Sequence, residues 1–154
     1  MENNYNIKTI KENGTDFEDL WFSSSSDEIL DNPEDEGGKP FSGLAYELYS
    51  NGNIIYFTQY KDGLAHGLTR EFFENGNKKS EKNYRYGQLQ GVSINWFEDG
   101  KKKSEQHYEH SILISEKKWD ERGILKHQYK IDKNSPHFEI LETRRETHNN
   151  LGRE

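Results

Sequence analysis

From Gly43 onward, apolar and polar positions alternate with a period of two, and the alternation breaks at short glycine-containing segments. Gly43-Leu44-Ala45-Tyr46-Glu47-Leu48-Tyr49 leads into Ser50-Asn51-Gly52-Asn53, and Ile54 to Tyr60 leads into Lys61-Asp62-Gly63. Period-two runs present one face to a core and one to solvent. Asn-Gly and Asp-Gly between such runs are the strongest local hairpin signal, because the tight turn needs positive φ. Helices are excluded here by a break every ten or so residues and by β-branched and aromatic filling. In the opening strands one face carries Leu44, Tyr46, Leu48, then Leu68, Arg70, Phe72, then Val92, Ile94, Trp96. The other carries Ala45, Glu47, Tyr49, then Thr69, Glu71, Phe73, then Ser93, Asn95, Phe97, and is less apolar.

The pattern returns every 24 residues. Gly43, Gly67 and Gly91 open three copies, Asn51-Gly52, Asn75-Gly76 and Asp99-Gly100 follow, and Tyr60, Tyr84 and Tyr108 come later in each. Such a period marks one hairpin unit stacked on itself. The copies run over 41–63, 64–87, 88–111 and, degraded, 112–130. The expected fold is mainly β: an elongated, twisted, single-layer antiparallel sheet of repeated β-hairpins. Leu48/Phe72/Trp96 and Tyr49/Phe73/Phe97 should form one ladder on each face, with members roughly 9–10 Å apart and bridged by the intervening strands. The glycines are assigned to turns. Irregular last repeats act as caps, and Lys117, Lys118 and Lys130 suit a blunted sheet edge.

The flanks break the pattern. Residues 1–40 form an acidic arm with loop-like stretches at 23–26 and 31–40 and a first strand near 19–22. Residues 131–154 form a tail read as a short C-terminal helix, with a disordered tail as the alternative. The net charge of −7 is concentrated in the arm, which holds three Lys/Arg against eleven Asp/Glu. Residues 41–130 hold fourteen against twelve. That balance argues against nucleic-acid binding by the chain as a whole. A hydrophobic fraction of 30% leans toward disorder, and an aromatic fraction of 13% supplies the burial that a thin sheet needs. The absence of Cys excludes disulfides, thiol nucleophiles and Cys-based zinc sites. The polar start Met1-Glu2-Asn3-Asn4-Tyr5 lacks a signal-peptide core, and no apolar run approaches a membrane span. A cytoplasmic location is expected.

The segments Gly67 to Tyr84 and Gly91 to Tyr108, each with an aromatic pair before Asn/Asp-Gly and a later Tyr, resemble the variant MORN repeat. With the Gly43 to Tyr60 copy they resemble the version found in bacterial YwqK-family antitoxins, over about residues 41–130. The resemblance implies a twisted antiparallel sheet with one hairpin per repeat. It also implies an immunity or antitoxin role in which the protein binds and blocks a cognate protein toxin. It brings no catalytic residue, cofactor or binding motif.

Candidate chemistry is sparse. No nucleophile elbow, zinc-helix motif or phosphate loop occurs. His107 and His110 flank a strand-end Tyr and should diverge rather than share a metal. The arm's Asp27, Glu28, Asp31, Glu34, Asp35 and Glu36 lack the alternation of a calcium loop. They read either as a solvated loop or as a decoy that steers and covers a basic toxin cleft. Lys78, Lys79 and Lys101 to Lys103 read as edge protection or as a stripe for anionic lipid or nucleic acid. Tyr46, Arg70, Phe72, Ile94 and Trp96 form a partner surface if their face is open, and core if Trp21, Phe22 or the tail covers it; the alternation leaves both open. Three functions compete: a toxin-blocking immunity protein, a MORN-type scaffold or anionic-membrane module, and an enzyme. No residue set supports the last.

Overall fold

The computed structural model describes residues 5–152. In chain order the elements are α1 (Ile7–Asn13), β1 (Gly14–Asp16), β2 (Trp21–Phe22), β3 (Ile29–Leu30), β4 (Gly43–Leu48), β5 (Ile54–Lys61), β6 (Leu64–Phe72), β7 (Lys78–Arg85), β8 (Gln88–Leu89), β9 (Gly91–Trp96), β10 (Lys102–Glu109), β11 (Ile112–Trp119), β12 (Leu125–Lys130) and α2 (Pro136–Asn150). Among the described residues, one ten-stranded sheet runs β1-β4-β5-β6-β7-β9-β10-β11-β12, with β8 also on β7. All its pairs are antiparallel except β1 with β4. The chain is thus mainly β, a long sheet of hairpins with a short C-terminal helix, as the alternation implies.

Two kinds of turn link the strands. At the Asn-Gly ends only the glycine has positive φ (Gly52 83°, Gly76 87°, Gly100 87°). The loop closes by Tyr49 N–H to Asn53 O at 2.8 Å, repeated as Phe73 to Asn77 and Phe97 to Lys101. These are three-residue loops, one longer than the tight turn the dipeptide suggests. The two-residue turns lie at the other ends, where Asp62-Gly63, Tyr86-Gly87 and His110-Ser111 all have positive φ.

The turns are laced together along the sheet. Asn53 Nδ2 donates to Glu74 O at 2.8 Å, and Asn77 Nδ2 to Glu98 O at 2.9 Å. At the opposite ends Ser42 Oγ, His66 Nδ1 and Gln90 Oε1 accept from the N–H groups of Asp62, Tyr86 and His110. These acceptors sit in one repeat slot filled by three residue types.

Gly43, Gly67 and Gly91 do not form turns. They lie within strands, directly opposite Tyr60, Tyr84 and Tyr108. Each of these glycines has a positive φ that other residues avoid. Burial pushes the phenol of each of these tyrosines up from its ordinary value. The same face buries Thr58, Ser80, Ser93, Ser104 and Glu116. Thr69 donates to Thr58 at 3.0 Å, Ser80 to Glu71 at 2.9 Å and Asn95 to Ser104 at 2.9 Å. So the face that alternation marks as polar is the tyrosine-lined, hydrogen-bonded one.

The opposite face is apolar at one end only. Ile10 of α1 packs there with Leu44, Ile54 and Phe57, joined by Tyr5, Tyr46, Leu48, Leu68 and Phe72. Tyr5 stacks on Phe57 at 4.8 Å between ring centroids. Helix α1 is not apparent in the sequence, since seven residues offer too short a period. Its start is fixed by Asn6, whose side chain accepts from Thr9 N–H.

Candidate functional site

The face carrying Tyr46, Arg70, Phe72, Ile94 and Trp96 is partly covered, and by neither of the expected segments. Tyr5 and α1 cover its β4–β6 end. Phe17 lies instead edge-on to Tyr56 at 5.9 Å, and Phe22 edge-on to Phe17 at 5.7 Å. Tyr56 is on the opposite, tyrosine-lined face, as its pairing with Glu47 and Glu71 requires. Phe22 itself remains 69% exposed.

The five positions therefore have different surroundings. Tyr46 and Phe72 pack into the core. Arg70 stands over the Phe57 ring at 5.9 Å and grips Glu81, with Nη2 to Oε2 at 2.6 Å. Ile94 and Trp96 lie beyond the cover and are half-exposed. Around them Val92 is 46% and Leu125 45% exposed.

The aromatic ladder on this face is bridged by lysines. Phe72 pairs with Lys78, Lys78 Nζ sits 4.8 Å from the Trp96 ring, Trp96 pairs with Lys102, and Lys102 Nζ sits 5.8 Å from the Trp119 ring. On the other face Lys103 Nζ is 5.6 Å from Phe97. Cation and indole alternate, each contact contributing up to about 1 kcal/mol at such exposed positions. The lysine run is thus part of a mixed apolar and cationic surface that also carries Glu105, 2.6 Å from Lys102 Nζ.

The acidic residues do not form a free arm. Strand β3 buries Ile29 and Leu30 at 3% and 4% exposure, and Ile29 N–H bonds Gly63 O at the sheet's turn edge. Glu34 accepts from Ser24 N–H, Ser24 Oγ and Ser23 Oγ, and the Ser24 contacts hold its carboxyl below the usual range. Asp31 Oδ1 accepts from Lys39 N–H at 2.7 Å. Glu28 lies against Gly63, while Asp27, Asp35 and Glu36 project into solvent. The arm and the Ile94/Trp96 surface are not brought into contact by any interaction among the described residues.

Helix α2 docks on the same turn edge. Ser135 caps it and Pro136 opens it. Arg145 makes a bidentate pair with Glu109, both contacts at 2.6 Å, and Arg144 donates to His110 O. The His110 and His148 rings meet edge-on at 4.7 Å. A groove of about 550 Å3 lies beside them, lined by Glu28, Asp62, Arg85, Tyr86 and Arg144 among others. Among the described residues no group of three His, Asp or Glu is arranged to hold a metal. No helix there is long and apolar enough to cross a membrane.

The protein is 84% identical over 154 residues to the Immunity protein YwqK of Bacillus subtilis (strain 168), with 100% of both chains covered. The chain belongs to the YwqK family. No protein-family model matches it. For this YwqK-family chain the candidate site is therefore a surface rather than a pocket. Its apolar and cationic residues run from Lys78 to Leu125 on the uncovered face. The hairpin signal marked those strands, but only the position of α1 separates their exposed half from the buried half.

Proposed function

We propose that the protein is an immunity protein that binds a cognate protein toxin and blocks it sterically. The full-length 84% identity to a protein named as an immunity protein supports this reading most directly. In it, residues 41–130 are variant MORN repeats that act as a rigid platform in the cytoplasm. Ile94, Trp96 and their lysine neighbours contact the toxin, and Asp27, Asp35 and Glu36 steer a basic toxin surface toward it. The protein performs no chemistry; its effect is occupancy. A half-exposed tryptophan among lysines suits this role, because Trp is enriched at binding hot spots. The experiment is co-expression with the product of the adjacent gene, followed by titration of the purified pair. A salt-sensitive one-to-one complex that abolishes toxicity is expected. No complex, together with binding to anionic vesicles, would instead favour a membrane-scaffold role.

A further inference from the structure

The two long edges of the sheet are closed to different degrees. At one edge β1 pairs with β4 and leads directly from α1. At the other edge β12 is paired only with β11, and every residue in it except Tyr129 is exposed. Ile131 N–H bonds Ile114 O at 2.8 Å, so the odd-numbered residues of this strand face β11. By antiparallel alternation, the backbone groups of Gln128 and Lys130 point outward, and β12 has no second partner strand among the described residues. We infer that β12 is a strand-addition site that takes an extended acidic segment of the toxin, an inference that rests on the proposed immunity function.

The charges select this occupant over a second copy of the chain. Two β12 edges meeting antiparallel about Gln128 would set each Lys126 opposite the other copy's Lys130. Like charges directly opposite destabilise a sheet pair. The strand itself carries Lys126, His127 and Lys130 and no acid. Lys126 is engaged by Asp120 at 3.1 Å and His127 lies 3.5 Å from Glu116, whereas Lys117 and Lys130 on the same face have no ion pair among the described residues. A shallow recess of about 250 Å3 runs across β9 to β12 beside them, between Val92, His107, Lys117 and Lys130. The lysines that repel self-pairing thus match alternate Asp or Glu side chains of an added strand, while its backbone takes the outward groups.

The test uses the full chain and the product of the adjacent gene, in calorimetric titrations. Gln128→Pro removes one outward N–H and no bond to β11, a change tolerated at sheet edges. Gln128→Ala keeps the N–H. The expected result is about tenfold or weaker binding for the proline variant, with the alanine variant near wild type. Lys126→Glu/Lys130→Glu, which leaves the backbone intact, is expected to slow association about tenfold. Wild-type binding that both variants retain would overturn strand addition while leaving the immunity function standing. Absence of wild-type binding would overturn both.

Discussion

The β4–β6 end of the sheet and the β9–β12 end have the same strands and turns, yet the larger buried cluster lies at the first, and at the second burial falls on Ile131 and on Leu141 of α2. Phe57 is fully buried at the first end, beneath Tyr5 and Ile10. The equivalent face at the second end has Trp96 and Trp119 with lysines over their rings. The difference teaches that regular hairpins supply a scaffold along the whole length, while apolar stability is concentrated where the N-terminal segment folds back. The exposed end is thereby left with its aromatics available to a partner.

The sharpest way to break this contrast is to delete equivalent aromatic bulk at each end. Phe57→Ala is expected to lose about 3–5 kcal/mol in urea unfolding, as buried phenylalanines do. Trp96→Ala is expected to lose only about 1 kcal/mol, close to what its lysine contact is worth. Equal losses would mean that the second end has a core of its own.

A smaller effect concerns α2. Arg145→Ala removes the bidentate contact to Glu109 and is expected to cost about 1 kcal/mol after allowance for its exposure. The effect should appear as faster amide exchange in α2 with little change around Phe57. Acid should act at the same place. Burial and the neighbouring His148 push the His110 imidazole below its ordinary value. That contribution is present above the unfolded histidine range, about pH 6.5, and is lost as pH falls through the lower folded value. The Arg145 hydrogen bonds hold the Glu109 carboxyl low, so its contribution is lost only at more acidic pH, below the usual range near 4.3. Protection of α2 amides relative to intrinsic exchange, measured from pH 7 to 4, should therefore fall before that of the sheet. At high pH the raised tyrosines act in the opposite sense. Their contribution is present below about pH 10 and is lost as pH rises through the folded values.

The smallest expected effect tests uniformity rather than contrast. Asn53→Ala and Asn77→Ala each remove a turn-to-turn hydrogen bond and should each cost about 0.5–1 kcal/mol. A much larger cost at Asn53 would show that the lacing, too, is concentrated at the covered end.

Much of this architecture was legible in the sequence because local rules set it. Period-two runs and Asn/Asp-Gly steps placed the hairpins, and the period placed Tyr60, Tyr84 and Tyr108 in one column. What failed were features decided across the fold. Gly43, Gly67 and Gly91 look like turn residues, and their place inside strands, at positive φ, appears only once the strands are paired. Helix α1 is too short to declare itself, so alternation leaves this face either open or covered by Trp21, Phe22 or the tail. The candidate positions Tyr46 to Trp96 share one face as alternation dictates. Their division into buried and open halves depends on a helix from the other end of the chain.

The central claim is that the uncovered half of the sheet is the recognition surface. Hydrogen exchange of the free protein and of its complex with the product of the adjacent gene tests it most directly. The account predicts new protection in β9 to β12, around Trp96 and Gln128, with β4 to β6 unchanged. Protection confined to β4 to β6 or to the back of α1 would contradict it.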